Sequence, residues 1–192
     1  MPDEAKARGS GARERILEAA YGLFSRRGIS AVGIDRIVAD SHVAKMSLYR
    51  HFPSKDDLVL AFLDLREQRW TREWLQVEVE RMAATPRERL VAIFDALDGW
   101  FHRRDYEGCS FINTLLEIED KRDPAHRAAV RHLEVVRALV ESWAQQAGLA
   151  DPEEAAYQMQ ILMMGAIVSA SRGDREAARR AQRLALMLIE AR

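Results

Sequence analysis

The side chains best suited to bind a nucleic acid are concentrated between Ile34 and Lys55. Hydroxyl, phenol, imidazole, ammonium and guanidinium groups donate hydrogen bonds to phosphate oxygens, and several of them also reach the edges of bases. Within this stretch such groups follow one another over only seven positions: Lys45, Ser47, Tyr49, Arg50 and His51. The stretch therefore predicts a surface that binds nucleic acid.

Apolar residues at helical spacing predict the elements that position these groups. Ile34, Ile37 and Val38 recur at intervals of three and four, which marks one face of a first short helix. Leu48 and Phe52 lie four residues apart and mark the inner face of a second helix. A three-residue break in the pattern separates the two. The spacing predicts a helix-turn-helix whose second helix enters the major groove of DNA.

The motif resembles a known family at this point. The run Val43–Phe52, followed by Pro53-Ser54-Lys55, resembles the recognition helix of the TetR-like (tetracycline-repressor-type) family of transcriptional regulators. Upstream, Arg15–Ala20 and Gly28 are similar to the first helix of that family and to the glycine that ends it. The resemblance covers residues 13–63, about a quarter of the chain.

The resemblance implies that eight side chains of the motif contact DNA. Base edges are expected to be read from the groove side of the second helix, and phosphates to be bound from its flanks and from the start of the following helix. Arg50 is free to bind either guanine or phosphate. The implied contacts are Lys45 and Ser47 to base edges, Tyr49, His51 and Lys55 to phosphates, Arg36 to the backbone, and in addition Met46 and Arg50.

Three positions depart from the family pattern. His42 stands where the turn usually has glycine, and histidine adopts the required positive φ at a modest cost, so we expect the turn to survive. Ala44 replaces the usual Ser or Thr, which weakens the cap of the recognition helix. Met46 replaces a small residue or proline, and its side chain could press on a thymine methyl group or a sugar.

Composition restricts the class of protein. The 192 residues are 48% apolar and 31% charged, which is typical of a globular chain with a core of its own. We expect a cytoplasmic protein with no membrane span, because no apolar run or signal peptide is present. Cys109 is alone, so an internal disulfide is excluded. Residues 1–55 contain 10 Lys/Arg and 6 Asp/Glu, whereas residues 56–192 contain 19 and 24, so a basic end precedes an acidic body.

The whole chain is predicted to be all-α, with about nine helices and no strand. We expect a flexible basic arm over residues 1–11 and a three-helix DNA-binding domain over residues 12–56. A fourth helix then links to about residue 70, continues to Met82 and kinks near Thr71. The remainder, residues 57–192, is predicted to be a C-terminal helical bundle that binds a ligand and dimerises.

Large apolar residues in the predicted bundle are compatible with a packed core or with a cavity for a small molecule. The family resemblance implies the cavity, and the aromatic content suggests an apolar or aromatic effector. Asn113, Thr114, Glu117, Tyr157 and His102 are candidate polar groups. The predicted lining consists of Trp70, Trp74, Phe94, Leu97, Trp100, Phe101, Phe111, Asn113, Leu116, Trp143, Met159 and Met163.

The last two predicted helices are apolar on more than one side, and we expect the eighth to be buried all round. Family members dimerise through these two helices, and this sequence is compatible with the same arrangement. A two-fold homodimer would present two recognition helices to a palindromic operator. The predicted dimerisation residues are Ile161, Gly165, Val168, Leu184, Met187 and Leu188.

No catalytic or metal-binding pattern is present in the sequence. A Gly-rich phosphate loop, HExxH and CxxC are all absent, and neither a cofactor nor an enzymatic activity is expected. Cys109 is expected to be packed and inert, because its acidic neighbours disfavour a thiolate. The sequence predicts a repressor that leaves its operator on binding a small effector. The competing interpretation is a DNA-binding regulator with a filled core and no inducer.

Overall fold

The computed structural model describes residues 2–190, and the side chains of residues 11–190. Within this range the chain forms nine helices and no strand, so the predicted all-α class is confirmed. No described helix is long and apolar enough to cross a membrane. The helices are α1 Pro2–Arg27, α2 Ile34–Ser41, α3 Lys45–His51, α4 Lys55–Met82, α5 Pro86–Phe101, α6 Ser110–Glu117, α7 Pro124–Gln146, α8 Pro152–Ser171 and α9 Ala177–Glu190.

Helix α1 begins ten residues before the predicted start at Ala12. The predicted flexible arm over residues 1–11 is therefore helical from Pro2 onward in this structure, and Met1 lies outside the described residues.

Helix α4 changes its hydrogen-bonding pattern midway. It is α-helical over Lys55–Arg66, π-helical over Glu67–Gln76 and α-helical again over Val77–Met82. Thr71, where the sequence predicts a kink, lies in the middle of the π-helical segment. The π-helix is rare and appears mostly as single turns within α-helices, frequently at functional sites, so a segment of ten residues is unusually long.

The described chain divides into two compact units, and the first contains the predicted DNA-binding helices. It comprises the chain up to Arg66 together with Ser110–Val130. Its core is formed by fully buried apolar side chains, among them Ile16, Leu23, Ile37, Leu48, Leu58 and Phe62. The ring of Phe62 packs against Tyr21 at 5.6 Å and Phe24 at 5.4 Å between centroids. The inward faces predicted for α2 and α3 are therefore the faces that build this core.

The second unit comprises Glu67–Cys109 and the chain from Arg131 onward. Thr85 and Glu88 form a capping box at the start of α5, and Pro86 occupies the first turn of that helix. Arg179 of α9 binds Asp95 at 2.5 Å and Asp98 at 2.9 Å, both on α5. These ion pairs connect α9 to α5 beside a core that includes Leu90, Ile93, Phe94, Leu97, Val140, Trp143, Met159 and Met163.

This division differs from the predicted one, in which every residue after 56 belongs to the second domain. Residues 110–130 lie with the DNA-binding helices, because α6 contacts the loop between α1 and α2. The carboxylate of Glu117 accepts a hydrogen bond from the Ser30 amide at 2.8 Å. A contact between residues 87 positions apart has no signature in local sequence patterns.

Candidate nucleic-acid interface

The turn between α2 and α3 requires a residue with positive φ, and His42 stands there in place of the usual glycine. His42 has φ 52° and ψ 37°, a left-handed conformation, and it is the one non-glycine residue with positive φ in the described part of the chain. Histidine reaches this region more easily than β-branched or bulky residues do. The expected survival of the turn is confirmed, and three residues, His42 to Ala44, join α2 to α3.

The start of α3 is held by backbone alone. Ala44 precedes the helix in an extended conformation and makes no side-chain cap, as its residue type predicts. Its carbonyl accepts hydrogen bonds from the amides of Ser47 at 2.8 Å and Leu48 at 3.1 Å. The core anchors the helix instead, because Leu48 is fully buried and Phe52 follows it inward.

The outer face of α3 carries most of the predicted DNA contacts. The side chain of Met46 is 78% exposed, the largest exposure among the large apolar residues described, and Tyr49 is 40% exposed. Arg50 is also exposed, while Ser47 and His51 are half-buried. Met46 and Arg50 lie on the side of the helix opposite Leu48, with Ser47 and Tyr49 on either side of them, which is the geometry that a groove-binding helix requires, whereas His51 lies nearer the core.

Two of the predicted cationic contacts have partners within the protein. Lys45 Nζ lies 2.7 Å from Asp35 Oδ1 of α2, and this hydrogen bond, reinforced by the charge of the carboxylate, raises the pKa of Lys45. Arg36 Nε lies 3.1 Å from Asp40 Oδ1 one turn further along α2. Both pairs are exposed to solvent, so each is weak and exchangeable. In the structure both cations are therefore engaged by acidic neighbours on α2.

Lys55 makes a contact within the first unit. Its Nζ donates a hydrogen bond to the backbone carbonyl of Ile29 at 2.7 Å, in the loop between α1 and α2. Ser54 caps α4, since its Oγ accepts from the Asp57 amide at 3.1 Å and Asp57 Oδ2 accepts from the Ser54 amide at 3.0 Å. The ammonium group of Lys55 thus connects the start of α4 to the loop between α1 and α2.

Glu117 also belongs to this region, although the sequence prediction gave it to the ligand cavity. Besides accepting from Ser30, its carboxylate lies against Gly28, which has φ +80°. A Cβ atom at Gly28 would lie 2.3 Å from Glu117 Oε1, so no other residue fits without displacement. The glycine predicted only as a helix end therefore also makes room for α6.

The second unit contains a cluster of five aromatic side chains, which we call the aromatic cluster. Trp100 lies at its centre, with ring centroids 4.9–5.8 Å from those of its four neighbours. The Tyr106 hydroxyl donates to the Ile167 carbonyl at 2.8 Å, and burial raises the pKa of this tyrosine. The cluster consists of Trp70, Trp74, Trp100, Phe101 and Tyr106.

Three buried polar atoms of the π-helical segment make no hydrogen bond, and one of them, Glu67 Oε1, is ion-paired with Arg72 Nε at 3.0 Å. The two without any partner are Trp70 Nε1 and Thr71 Oγ1, on residues that are 8% and 2% exposed. A buried donor or hydroxyl that stays unsatisfied costs about 1–3 kcal/mol. Such a cost is expected where a ligand supplies the missing partner.

The structure divides the predicted ligand-binding residues between the two units. Phe111, Asn113 and Leu116 lie on α6 in the first unit, and the Leu116 side chain is 74% exposed. The other nine belong to the second unit, where Trp74 and Phe101 are half-buried. The remaining seven are buried: Trp70, Phe94, Leu97, Trp100, Trp143, Met159 and Met163. Phe111 and Thr114 are buried, and Leu116 lies on the other face of the helix, as the helical period requires. Cys109 is buried.

The predicted dimerisation residues form an exposed apolar surface on α8 and α9. Ile161 is 68% and Met187 66% exposed, and Gly165, Val168 and Leu184 are exposed as well, with Leu188 half-buried. The prediction that α8 is buried all round is wrong for the single chain. Only its face with Met159, Met163 and Ile167 packs inside the unit.

The described side chains contain no candidate metal site. Among the side chains that the structure describes, His, Cys, Asp and Glu do not gather in groups of three or more that could hold a metal ion.

Comparison with known proteins identifies related sequences for both parts of the chain. Residues 16–62 match the family model described as bacterial regulatory proteins, tetR family. Residues 86–185 match the model described as the tetracyclin repressor-like C-terminal domain. The two matches lie on either side of the π-helical segment and together span most of the described chain.

Individual relatives agree with these matches. The structure of SCO4454, a TetR-family transcriptional regulator from Streptomyces coelicolor, is 30% identical, with 95% of this chain and 96% of that chain covered and a TM-score of 0.86. The HTH-type transcriptional regulator YjdC of Escherichia coli is 23% identical over 175 residues, which cover 88% of this chain and 90% of that protein. The HTH-type transcriptional regulator QacR of Staphylococcus aureus is 32% identical over 68 residues, or 35% of this chain and 36% of QacR. The chain thus matches only about a third of the length of QacR.

Proposed function

The chain belongs to the TetR family of helix-turn-helix transcriptional regulators, which are not enzymes, and on this premise we propose that it is a homodimeric cytoplasmic repressor released from operator DNA by a small apolar or aromatic effector. The observation that carries the proposal is the outward face of α3. Met46, Tyr49 and Arg50 are exposed there, and the opposite side of the helix is fixed in the core by Leu48.

In the proposed complex α3 lies in the major groove and the flanking cations bind phosphates. Arg50 has no hydrogen-bond or ion-pair partner among the described residues, so it is ready to bind DNA. Lys45, which the family resemblance assigns to a base edge, is here proposed to exchange Asp35 for a phosphate, as Arg36 exchanges Asp40, because phosphate binding releases counterions that surface ion pairs do not release. Lys55 is expected to bind a phosphate while its stem stays beside Ile29, and Ser47, Tyr49 and His51 complete the contacts.

A second copy of the chain is the proposed partner for the exposed surface of α8 and α9. Ile161, Gly165 and Val168 follow at intervals of four and three on α8, and on α9 Met187 and Leu188 lie three and four positions after Leu184. Four such helices, two from each copy, would bury these faces against one another. The two-fold symmetry would place the recognition helices about 34–36 Å apart, one turn of DNA.

The proposed effector site is the aromatic cluster together with the two unsatisfied groups beside it. Trp70 Nε1 donates only, so an effector needs an acceptor such as a carbonyl or ether oxygen for it. Thr71 Oγ1 can donate or accept. The flanking rings favour a flat apolar body. We therefore propose an aromatic or polycyclic effector with at least one oxygen acceptor.

Release from DNA requires that the effector binds one conformation of the protein more tightly than the other. Coupling of this kind is typically about 1–3 kcal/mol, or roughly 5–150-fold in operator affinity. Helix α4 carries Trp70 and Thr71 and also extends from the first unit into the second. A change in its π-helical segment is the proposed origin of the coupling.

The test begins with DNA from upstream of the coding region, on which footprinting locates the operator. Fluorescence anisotropy then measures operator affinity while aromatic compounds are added, with tryptophan fluorescence as the readout of binding. We expect at least one compound to quench the tryptophans and weaken operator binding. Trp70→Phe keeps an aromatic side chain but removes the indole N–H donor. This variant should lose the response to the compound while binding operator normally. Unchanged operator affinity for every compound that binds would contradict the effector part of the proposal.

A second candidate function is a DNA-binding regulator without an inducer. The rings of the aromatic cluster contact one another at 4.9–5.8 Å between centroids, which favours a filled core. In that case no compound quenches the buried tryptophans at concentrations below those that unfold the protein, and Trp70→Phe leaves operator binding unchanged under all conditions.

A further inference from the structure

Helix geometry singles out two side chains at the outermost edge of α3. Successive residues of an α-helix are rotated by about 100°, so residues two positions before and after Leu48 lie within ~20° of the direction opposite to it. These residues are Met46 and Arg50. Because Leu48 is fully buried, they form the ridge of α3 that extends furthest from the core. Tyr49 and Ser47 lie on either side of that ridge.

The two residues of the ridge differ in chemistry. Arg50 presents a fork of donors, which matches the O6 and N7 acceptors of guanine. Met46 has a flexible apolar side chain and only a weakly accepting sulfur. Lys45, its neighbour at the start of the helix, is held by Asp35 at 2.7 Å. The tip of α3 that meets DNA first is therefore apolar.

The major-groove edges of the four bases offer donors, acceptors and a single apolar group, the C5-methyl of thymine. A methionine inserted beside any other edge removes water from a polar atom without replacing the hydrogen bond. An exposed methionine gains from burial only against that methyl group or a sugar, and the ridge position directs it at the floor of the groove.

We propose that Met46 and Arg50 determine operator sequence, with Met46 reading the methyl group of a thymine and Arg50 reading a guanine in the same half-site. The two residues are four positions apart, which is about 6 Å along the helix. Base pairs repeat at about 3.4 Å, so the thymine and the guanine lie about two steps apart. The inference rests on the proposed placement of α3 in the major groove.

Single-atom changes in DNA test each contact. In one series of operator duplexes, each thymine of the half-sites is replaced in turn by deoxyuridine, which lacks only the methyl group. In a second series, each guanine is replaced by 7-deazaguanine, which lacks the N7 acceptor. Affinities are measured by fluorescence anisotropy with the full-length protein at fixed salt concentration.

We expect one thymine in each half-site to be sensitive to the loss of its methyl group. The transfer free energy of one buried methyl group corresponds to a loss of roughly fourfold per half-site and about 16-fold for a symmetric pair. Met46→Ala should bind the thymine and deoxyuridine operators within about twofold of each other. Met46→Leu is the matched control and should keep the preference for thymine, because leucine also presents an apolar surface.

The guanine series should identify one sensitive position about two steps from that thymine, and the sensitivity should vanish in Arg50→Ala. Wild-type affinity that is unchanged by deoxyuridine at every thymine would overturn the assignment to Met46, as would full sensitivity in Met46→Ala. Normal operator binding by Arg50→Ala and Tyr49→Ala would instead refute the placement of α3. The two failures are therefore distinguishable.

Discussion

The recognition helix α3 and the π-helical segment of α4 arrange their chemistry in opposite ways. Helix α3 has seven residues, of which Leu48 is fully buried, and its functional groups are exposed. The segment Glu67–Gln76 instead buries Trp70 and Thr71, with a polar atom of each lacking a partner. Substitutions on α3 should therefore change binding and leave stability intact. Substitutions in the buried segment should change stability first.

The largest effect is expected from substitutions on the exposed face of α3. Tyr49→Ala combined with Arg50→Ala should weaken operator binding at least roughly 30-fold, because each arginine–guanine pair is worth about 1–3 kcal/mol and a dimer loses two. The melting temperature should remain within a few degrees of wild type, as both side chains are exposed. Anisotropy and thermal denaturation measure the two quantities, and retained sequence-specific binding would contradict the role of α3.

The next effect concerns a buried contact of the first unit. Gly28→Ala places a Cβ atom 2.3 Å from Glu117 Oε1 in a residue with φ +80°, and it should lower the free energy of unfolding by about 2 kcal/mol. Gly148→Ala is the matched control: Gly148 has φ +72°, but no atom lies within 4 Å of the added Cβ. Urea denaturation should show that the control costs about half as much. Equal costs would mean that Glu117 moves aside freely.

A substitution in the π-helical segment should have the opposite sign. Thr71→Val keeps the shape of the side chain and removes an unsatisfied hydroxyl, so the ligand-free protein should be more stable by about 1 kcal/mol. Thr114→Val is the control, because Thr114 is equally buried but donates to the Ser110 carbonyl at 2.8 Å. Denaturation of both variants without ligand gives the comparison. A loss of stability in Thr71→Val would show that the hydroxyl has a partner.

The smallest effect is expected from the pair that restrains Lys45. Asp35→Asn removes the main cause of the raised Lys45 pKa and frees the ammonium for phosphate. Operator affinity should rise a few-fold, and the slope of log affinity against log salt should steepen by up to about 0.9 per half-site. Asp40→Asn, which frees Arg36 in the same way, serves as the comparison variant. An unchanged slope in Asp35→Asn would mean that Lys45 does not contact phosphate.

The sequence predicted the first unit better than the second for a physical reason. The turn at His42, the inner residue Leu48 and the cap at Ser54 depend on neighbours within four residues, and spacing along the chain records such neighbours directly. The contact of Glu117 with Ser30 spans 87 positions, so no local pattern contains it. Phe111 and Leu116 belong to the first unit and Trp100 to the second, a division that local patterns do not contain either.

The second unit shows a further limit of sequence patterns. The spacing of apolar residues predicts which side chains are buried. It does not show whether they are buried within their own chain or against a partner. Ile161 and Met163 are two positions apart on α8, yet one is exposed and the other buried. The length of the π-helical segment was not predictable either, because its residues are compatible with an ordinary α-helix apart from the expected kink near Thr71.

The most direct test of the account is footprinting of the purified protein on DNA upstream of its coding region, repeated over a series of salt concentrations. We predict a saturable, two-fold symmetric protected site whose half-sites are one turn apart. Protection should persist at physiological salt and disappear in the Tyr49→Ala, Arg50→Ala variant. Binding that is uniform along the DNA, lost at modest salt and unaffected by these substitutions would contradict the central claim that the outer face of α3 recognises an operator.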